Sequence, residues 1–404
     1  MRRVANLLAV ALSVGGGAVA AQTVIIEAER VITMGPAGTV GPAVIVVRNG
    51  IIDAVERGSA DRMSIPPDAL RLVARVVTPG LIDARTTLGL AGVLPVDDDD
   101  NETSGPIQVA VRAVDAYDLT EPMLRHAVRR GVTVVQSGPG DANSIGGQAG
   151  IFRTDAATTS DALIQSPSAI VITLTEPAKM TYADQLRLPT TRMANVGLIR
   201  QALLDAERYR ELRATTDPPE RDLKHEALAQ LLDDELPAVV EASRVDEIAT
   251  ALRLADEFGF RMVIVGGADA HFVADKLAAR DVPVLVSPPG DVLYQRASPD
   301  VVLSVPAVLV EHGVTVALVS GDAASASRTD LLSHAARAVR HGLSAEDGMR
   351  AITSTPARLL GIDDRFGSIE TSKVADLVLL TGDPFDGTSQ IRAVLVSGRV
   401  VHHR

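Results

Sequence analysis

From Thr23 to Thr78 the apolar residues come in short β-branched runs separated by turn residues. Val24-Ile25-Ile26 opens a strand. Ala43 to Val55 reads as two strands around Asn49-Gly50, a type I′ hairpin signal because both turn positions need a positive φ. The C-terminal end repeats the pattern, with a strand over Ala375–Leu380 and a second hairpin over Ala393–Val401. Two β segments at opposite ends predict one small sheet module built from both termini.

Between them the rhythm changes to strand–helix alternation. Apolar runs at Val76–Asp83, Val132–Gln136, Ala169–Leu174, Ala238–Glu241, Met262–Val265, Val282–Val286 and Val314–Val319 predict seven strands, and Gly150–Thr154 is the candidate eighth. Helices fall between, such as Val196–Leu212 with Ile199, Leu203 and Ala206 on one face, and Asp246–Phe258 with Ile248, Leu252 and Ala255. Alternation over this length is the signature of a parallel α/β fold. A closed (β/α)8 TIM-like barrel would gather its functional groups at the C-terminal strand ends, and a doubly wound open sheet is the alternative.

Composition narrows the chemistry. The 404 residues carry a net charge of −12 with six Phe, four Tyr and no Trp, a poor match to nucleic acid, which needs basic and stacking partners. With no Cys, thiolate metal sites, disulfides and thiol nucleophiles are excluded. Arg2-Arg3, the apolar run Val4–Val14 and Ala18-Val19-Ala20 read as a cleavable signal peptide over residues 1–20, so the expected location is periplasmic or extracellular. No later run is long enough for a membrane span. The like-charged block Asp97–Glu102 reads as a solvated loop, with a weak cation site or a lid as the alternative. The Gly-rich stretch Ser137–Gln148 allows close backbone approach to a ligand, and tight turns explain it equally well.

At Val77-Thr-Pro-Gly-Leu-Ile-Asp83-Ala84 the sequence resembles the first barrel strand of the metal-dependent amidohydrolase superfamily, in particular its secreted, imidazolonepropionase-like branch. Gly140–Gln148, Arg244–Ala255, Gly342–Gly361 and Asp364–Leu380 extend the resemblance over most of the chain. It implies a (β/α)8 barrel over residues 81–364, with a β-sandwich composed of residues 21–80 and 365–404. It also implies one or two zinc or other divalent ions, and hydrolysis of non-peptide C–N bonds by metal-bound water with an Asp as base.

The departures fall on the metal ligands. Where the family's first strand ends in His-x-His this chain has Arg85 and Thr87; a later histidine-bearing segment reads Glu241-Ala242-Ser243, and the next strand's expected His falls on Gly266. Asp322 keeps the last strand's acid, and Lys179 lies near a region where some members carry a carboxylated Lys or a Glu ligand. These two are the candidate catalytic residues; Arg85, Thr87, Glu241, Ser243 and Gly266 are the candidate pocket. A guanidinium 4 Å from a divalent ion repels it by about 8 kcal/mol at an effective dielectric of 20. No metal and no other cofactor is therefore expected. Arg85 should instead pair with Asp322, Glu241 or both.

The other histidines offer no substitute: His126, His334 and His341 fall in helices, His225 on a solvated face, His271 at a helix start, His312 before a strand, and His402 and His403 at a frayed terminus. Three readings follow. The chain is a non-catalytic member that binds a small molecule or partners an active amidohydrolase relative. Alternatively it is an active C–N hydrolase with a rearranged single-metal site at Asp322, Glu241 and Lys179. In the third, metal-free reading, Arg85 polarises a carbonyl while Asp322 acts as acid or base.

Overall fold

The computed structural model describes residues 23–60, 66–92, 95–183, 186–288, 299–321 and 330–404. The expected signal peptide and Asp322 lie outside the described residues.

The first sheet draws on both ends of the chain. Its N-terminal strands are β1 (Thr23–Ile32), β2 (Thr39–Val40), β3 (Ala43–Arg48), β4 (Ile51–Arg57) and β5 (Leu70–Pro79). The other three are β14 (Leu377–Leu380), β15 (Ile391–Val396) and β16 (Arg399–His403), and the order is β16-β15-β14-β5-β1-β3-β4 with β2 on β1. Alternate residues from the two ends, such as Ile26, Ile45, Leu377 and Leu395, share one core. The Asn49-Gly50 turn has the expected positive φ of 52° and 80°, and Ser397-Gly398 repeats it at 50° and 73°. The two hairpins meet at these turns: Ala375 N donates to Gly50 O and Gly398 N to Ala375 O, each at 2.9 Å or less. His402 and His403, expected to fray, are instead paired in β16 against Val394 and Ala393.

The second sheet is an eight-stranded barrel, ordered β6 (Leu81–Thr86), β7 (Val132–Ser137), β8 (Ile145–Arg153), β9 (Leu163–Thr173), β10 (Ala238–Ala242), β11 (Met262–Gly266), β12 (Val284–Val286) and β13 (Val316–Leu318). A parallel bridge between Thr86 and Gly321 brings its two edges together. Helices alternate with the later strands, including Arg192–Arg213 and Val245–Phe258, which bury the expected Ile199, Leu203, Ala206, Ile248 and Leu252. The barrel interior is narrow and small-residue rich, with Ala84, Ala149, Ala169, Val171, Val239 and Ala317 among its core.

Two expectations change. The run Val76–Asp83 is not one strand: β5 ends at Pro79 in the terminal sheet and β6 starts at Leu81 in the barrel. Gly80 is the joint, its N donating to Asp376 O at 2.8 Å. The eighth strand exists where expected, but β8 runs antiparallel to both β7 and β9. A short loop therefore replaces a crossover helix between β7 and β8. This turns the Gly-rich stretch into a hairpin at the C-terminal mouth of the barrel, with Ile145–Gln148 already inside β8.

Candidate site at the barrel mouth

Arg85 lies near the end of β6 and reaches across the barrel to β10. Its Nε donates to Glu241 Oε1 at 2.9 Å. Nη1 donates to the carbonyls of Thr86 at 3.0 Å and Gly138 at 3.3 Å, and Nη2 to Pro139 O at 2.6 Å. The guanidinium is thus gripped by a carboxylate and three carbonyls, two of them from the β7–β8 hairpin. Its side chain is 4% exposed and that of Glu241 17%, so the pair sits in a largely water-free setting where its attraction is weakly screened. The expected pairing with Glu241 is formed.

The remaining candidate positions surround this pair. Thr87 is buried and its carbonyl caps the next turn, accepting from Leu90 N and Ala91 N. Ser243 N donates to Glu247 Oε2 at 3.0 Å, and Ser243 O accepts from Asp269 N at 2.8 Å. Gly266 has a φ of +96°, and a Cβ built there would run into Ser243 Oγ. The position where a histidine was expected is therefore closed to side chains by both backbone and space. Lys179 stands apart, on the Glu176–Ala183 helix, paired with Glu176, which also binds Arg192 at 3.0 Å.

Asp83 was not singled out by sequence reasoning. It is fully buried, accepts a hydrogen bond from the Ser320 hydroxyl, and accepts from Ser320 N at 3.2 Å. Burial raises its pKa to about 7 against the opposing Ser320 bonds, the Arg85 backbone bond and the Arg85 charge. The signal available was an acid inside the otherwise apolar Leu81-Ile82-Asp83-Ala84 run.

The acidic loop is not simply solvated. Asp100 O accepts from Gly140 N at 2.7 Å, Asn101 Oδ1 from Ala142 N at 3.0 Å, and Glu102 O from Asn143 Nδ2 at 2.8 Å. Burial, reinforced by Asp98, raises Asp100 to about 7. This loop packs on the hairpin that holds Arg85.

The residues present do not fit the divalent ion that the resemblance implies. Arg85 supplies donors only, Thr87, Ser243 and Gly266 supply no imidazole, and Glu241 is already committed to the guanidinium. Among the described residues no group of three or more His, Asp or Glu is placed to hold a metal.

Comparison with known proteins agrees with the barrel and the terminal sheet. A sequence model described as the amidohydrolase family matches residues 296–401. The crystal structure of an amidohydrolase from Thermotoga maritima MSB8 superposes with a TM-score of 0.83 at 30% identity, covering 94% of this chain and all of that one. An adenosine deaminase from Xanthomonas campestris with bound zinc shares the fold, with a TM-score of 0.57 at 20% identity over 93% of this chain and 92% of that one. The curated amidohydrolase tasK of Hapsidospora irregularis is 25% identical over 395 residues, covering 86% of this chain but 39% of that protein. The chain thus spans well under half the length of this curated relative. With the whole Thermotoga structure covered at 30% identity, the chain belongs to the amidohydrolase superfamily.

Proposed function

We propose that this chain uses the amidohydrolase barrel without the metal-dependent hydrolysis of its family, as a non-catalytic subunit that binds a small ligand or an active relative. On its motifs we place it in the imidazolonepropionase-like branch. One observation carries the reading: the buried Arg85 guanidinium, held by four hydrogen bonds, stands at a position the resemblance gives to a metal-binding histidine. An ion there would meet a fixed positive charge and would have to displace Arg85 from Glu241. Ligand loss at several strand ends is hard to repair, because the groups that orient a ligand set are built with it.

The mouth also keeps features suited to a small polar molecule. Ser144 Oγ, Thr173 Oγ1, Thr175 Oγ1 and Asn195 Oδ1 are buried around the end of β9 without hydrogen-bond partners among the described residues. Thr173 is the register partner of Glu241. Buried polar atoms of this kind are normally satisfied by water or ligand.

The test is the metal content of the purified protein by elemental analysis, alongside assays on acyl-amino-acid, imide and dipeptide panels. Substoichiometric metal with no turnover is expected. Stoichiometric zinc, or zinc-dependent turnover, would overturn the reading.

A further inference from the structure

A groove of about 710 Å³ runs along the seam between the barrel and the terminal sheet and shares no lining residue with the Arg85 cluster. Its walls are the Pro122–Arg129 helix, the Leu331–Arg340 helix, the loop from Pro384 to Gln390 and the end of β16. Five arginines line it: Arg129, Arg130, Arg337, Arg340 and Arg404. The acidic side chains in the lining are Asp330 and Asp386, two against five, an excess of three positive side chains in a chain of net charge −12.

Little in the described residues neutralises this excess. Among the described residues, Arg130 is the only one of the five arginines in an ion pair, with Asp330 at 3.5 Å. Arg337 Nε and Nη2 are shut off from solvent with no hydrogen-bond partner among the described residues, and so is Ser389 Oγ on the facing loop. Burial pushes the Arg337 guanidinium below its ordinary value, with Asp330 opposing the shift and Arg340 adding to it. Burial, then Arg129 and Arg404, lower His402 in the same groove. Buried donors in a crowd of like charges are costly unless an acceptor of opposite charge joins them.

We propose that this groove is a second ligand site, one that takes the phosphate group of a small organic phosphate. The guanidinium groups come from the ends of two helices and from the residue after β16, so three separate elements line the groove with positive charge. A tetrahedral phosphate offers oxygens in several directions and up to two charges, whereas a carboxylate offers two oxygens in one plane. Ser333 and Ser389 add hydroxyl donors. Phe385, Leu332 and Ile391 give the groove an apolar flank for the organic part. The site stands independently of the barrel-mouth reading, and neither metal content nor hydrolysis bears on it.

The test is isothermal titration calorimetry at low salt with phenyl phosphate, inorganic phosphate and benzoate as probes. Phenyl phosphate should bind saturably at one site, inorganic phosphate more weakly, and benzoate at least about tenfold more weakly than phenyl phosphate. Arg337→Gln should weaken phenyl phosphate by about tenfold, and the exposed Arg340→Gln, which carries no folding risk of that kind, by severalfold. Arg253→Gln, on a barrel helix outside the groove, should leave binding unchanged. Absence of saturable phenyl phosphate binding, benzoate binding as tightly, or undiminished binding in both groove variants would overturn the assignment.

Discussion

Arg85 Nε and Glu241 Oε1 are 2.9 Å apart although 156 residues separate them in sequence, and they bridge the mouth of the barrel from its first strand to its fifth. The carbonyls of Gly138 and Pro139 complete the cage, so the β7–β8 hairpin and both strands share one cation. The resemblance implies a catalytic metal ion near these strand ends. In this structure the Arg85 guanidinium ties the first and fifth strands together there.

Removing the counter-ion should therefore be felt in stability. Glu241→Gln leaves Arg85 buried with its carbonyls but without a carboxylate, and breaking a buried pair costs about 3–5 kcal/mol when nothing compensates. With the carbonyls retained, a loss of about 2–4 kcal/mol is expected in urea unfolding. Arg85→Met with Glu241→Leu should be less destabilising than the sum of the single changes, by about 1–3 kcal/mol, the coupling of a contacting pair. Additive losses would show that the pair contributes nothing as a pair.

Restoring the first strand's histidines should not restore a metal site. Arg85→His with Thr87→His returns two imidazoles, but Ser243 and Gly266 still bring none. Adding Gly266→His places a side chain at a φ of +96° and drives its Cβ into Ser243 Oγ, so a further loss of about 1–3 kcal/mol is expected. Elemental analysis should find no stoichiometric zinc in the double variant. One zinc per chain there would mean that the remaining acids suffice.

Much of this was legible beforehand, and what was not has identifiable causes. The Asn49-Gly50 turn, the two-ended sheet and the convergence of Arg85 with Glu241 follow from turn chemistry and from the rule that barrel strand ends meet. The direction of β8 does not, because alternation and β-branching are the same in either direction. The run Val76–Asp83 reads as one strand, yet Pro79-Gly80 carries a turn signal, and the split falls at the 80/81 boundary that the resemblance implies. The arginine groove was invisible for a different reason: its cations come from segments near 130, 340 and 404, and only the fold brings them to one seam.

Gly80 gives the split a direct test. A Cβ at this position would run into the Thr133 side chain, and the neighbouring Cβ of Asp376 lies 3.0 Å away. Gly80→Ala should cost about 1–3 kcal/mol, the range for overpacking a filled site, despite the usual helix- and strand-favouring effect of alanine. In a Thr133→Ala background, which lacks both the hydroxyl and the methyl that the new Cβ would meet, Gly80→Ala should cost less. A neutral Gly80→Ala would mean that the joint has room to yield.

Asp83 should leave a signature in the pH dependence of folding. Its pKa is about 7 in the fold and 3.8 as the ordinary value, so between these limits the folded state keeps a proton that the unfolded state has lost. Stability then falls as pH rises through that window, by up to about 1.4 kcal/mol per unit from this group alone. Asp376, raised to about 6 chiefly by burial, and Asp100 act in the same direction, so the parent curve is a composite. The informative quantity is the difference from Asp83→Asn, whose amide oxygen can still accept from Ser320. That variant should gain on the parent as pH rises from about 4 to about 7. Parallel curves would show that Asp83 ionises normally.

His334 should work in the opposite sense. It is buried in the Leu331–Arg340 helix with Nδ1 at 3.2 Å from Val319 O, at the end of the barrel's last strand. Burial first, and Arg337 second, lower its pKa from 6.5 to about 4, while the Val319 bond opposes the shift. An unfolded chain protonates this ring near 6.5, but the folded protein does not until near 4. The contribution is fully present above 6.5 and is lost as pH falls toward 4, again by up to about 1.4 kcal/mol per unit. In His334→Gln, whose amide nitrogen can replace the donor to Val319 O, this loss should vanish. Below about pH 6.5 the variant should therefore gain on the parent, while Asp83→Asn loses its advantage over the same acid range. Proton NMR of the His334 ring supplies the direct check, since a folded-state titration near 6.5 would remove the basis for the difference.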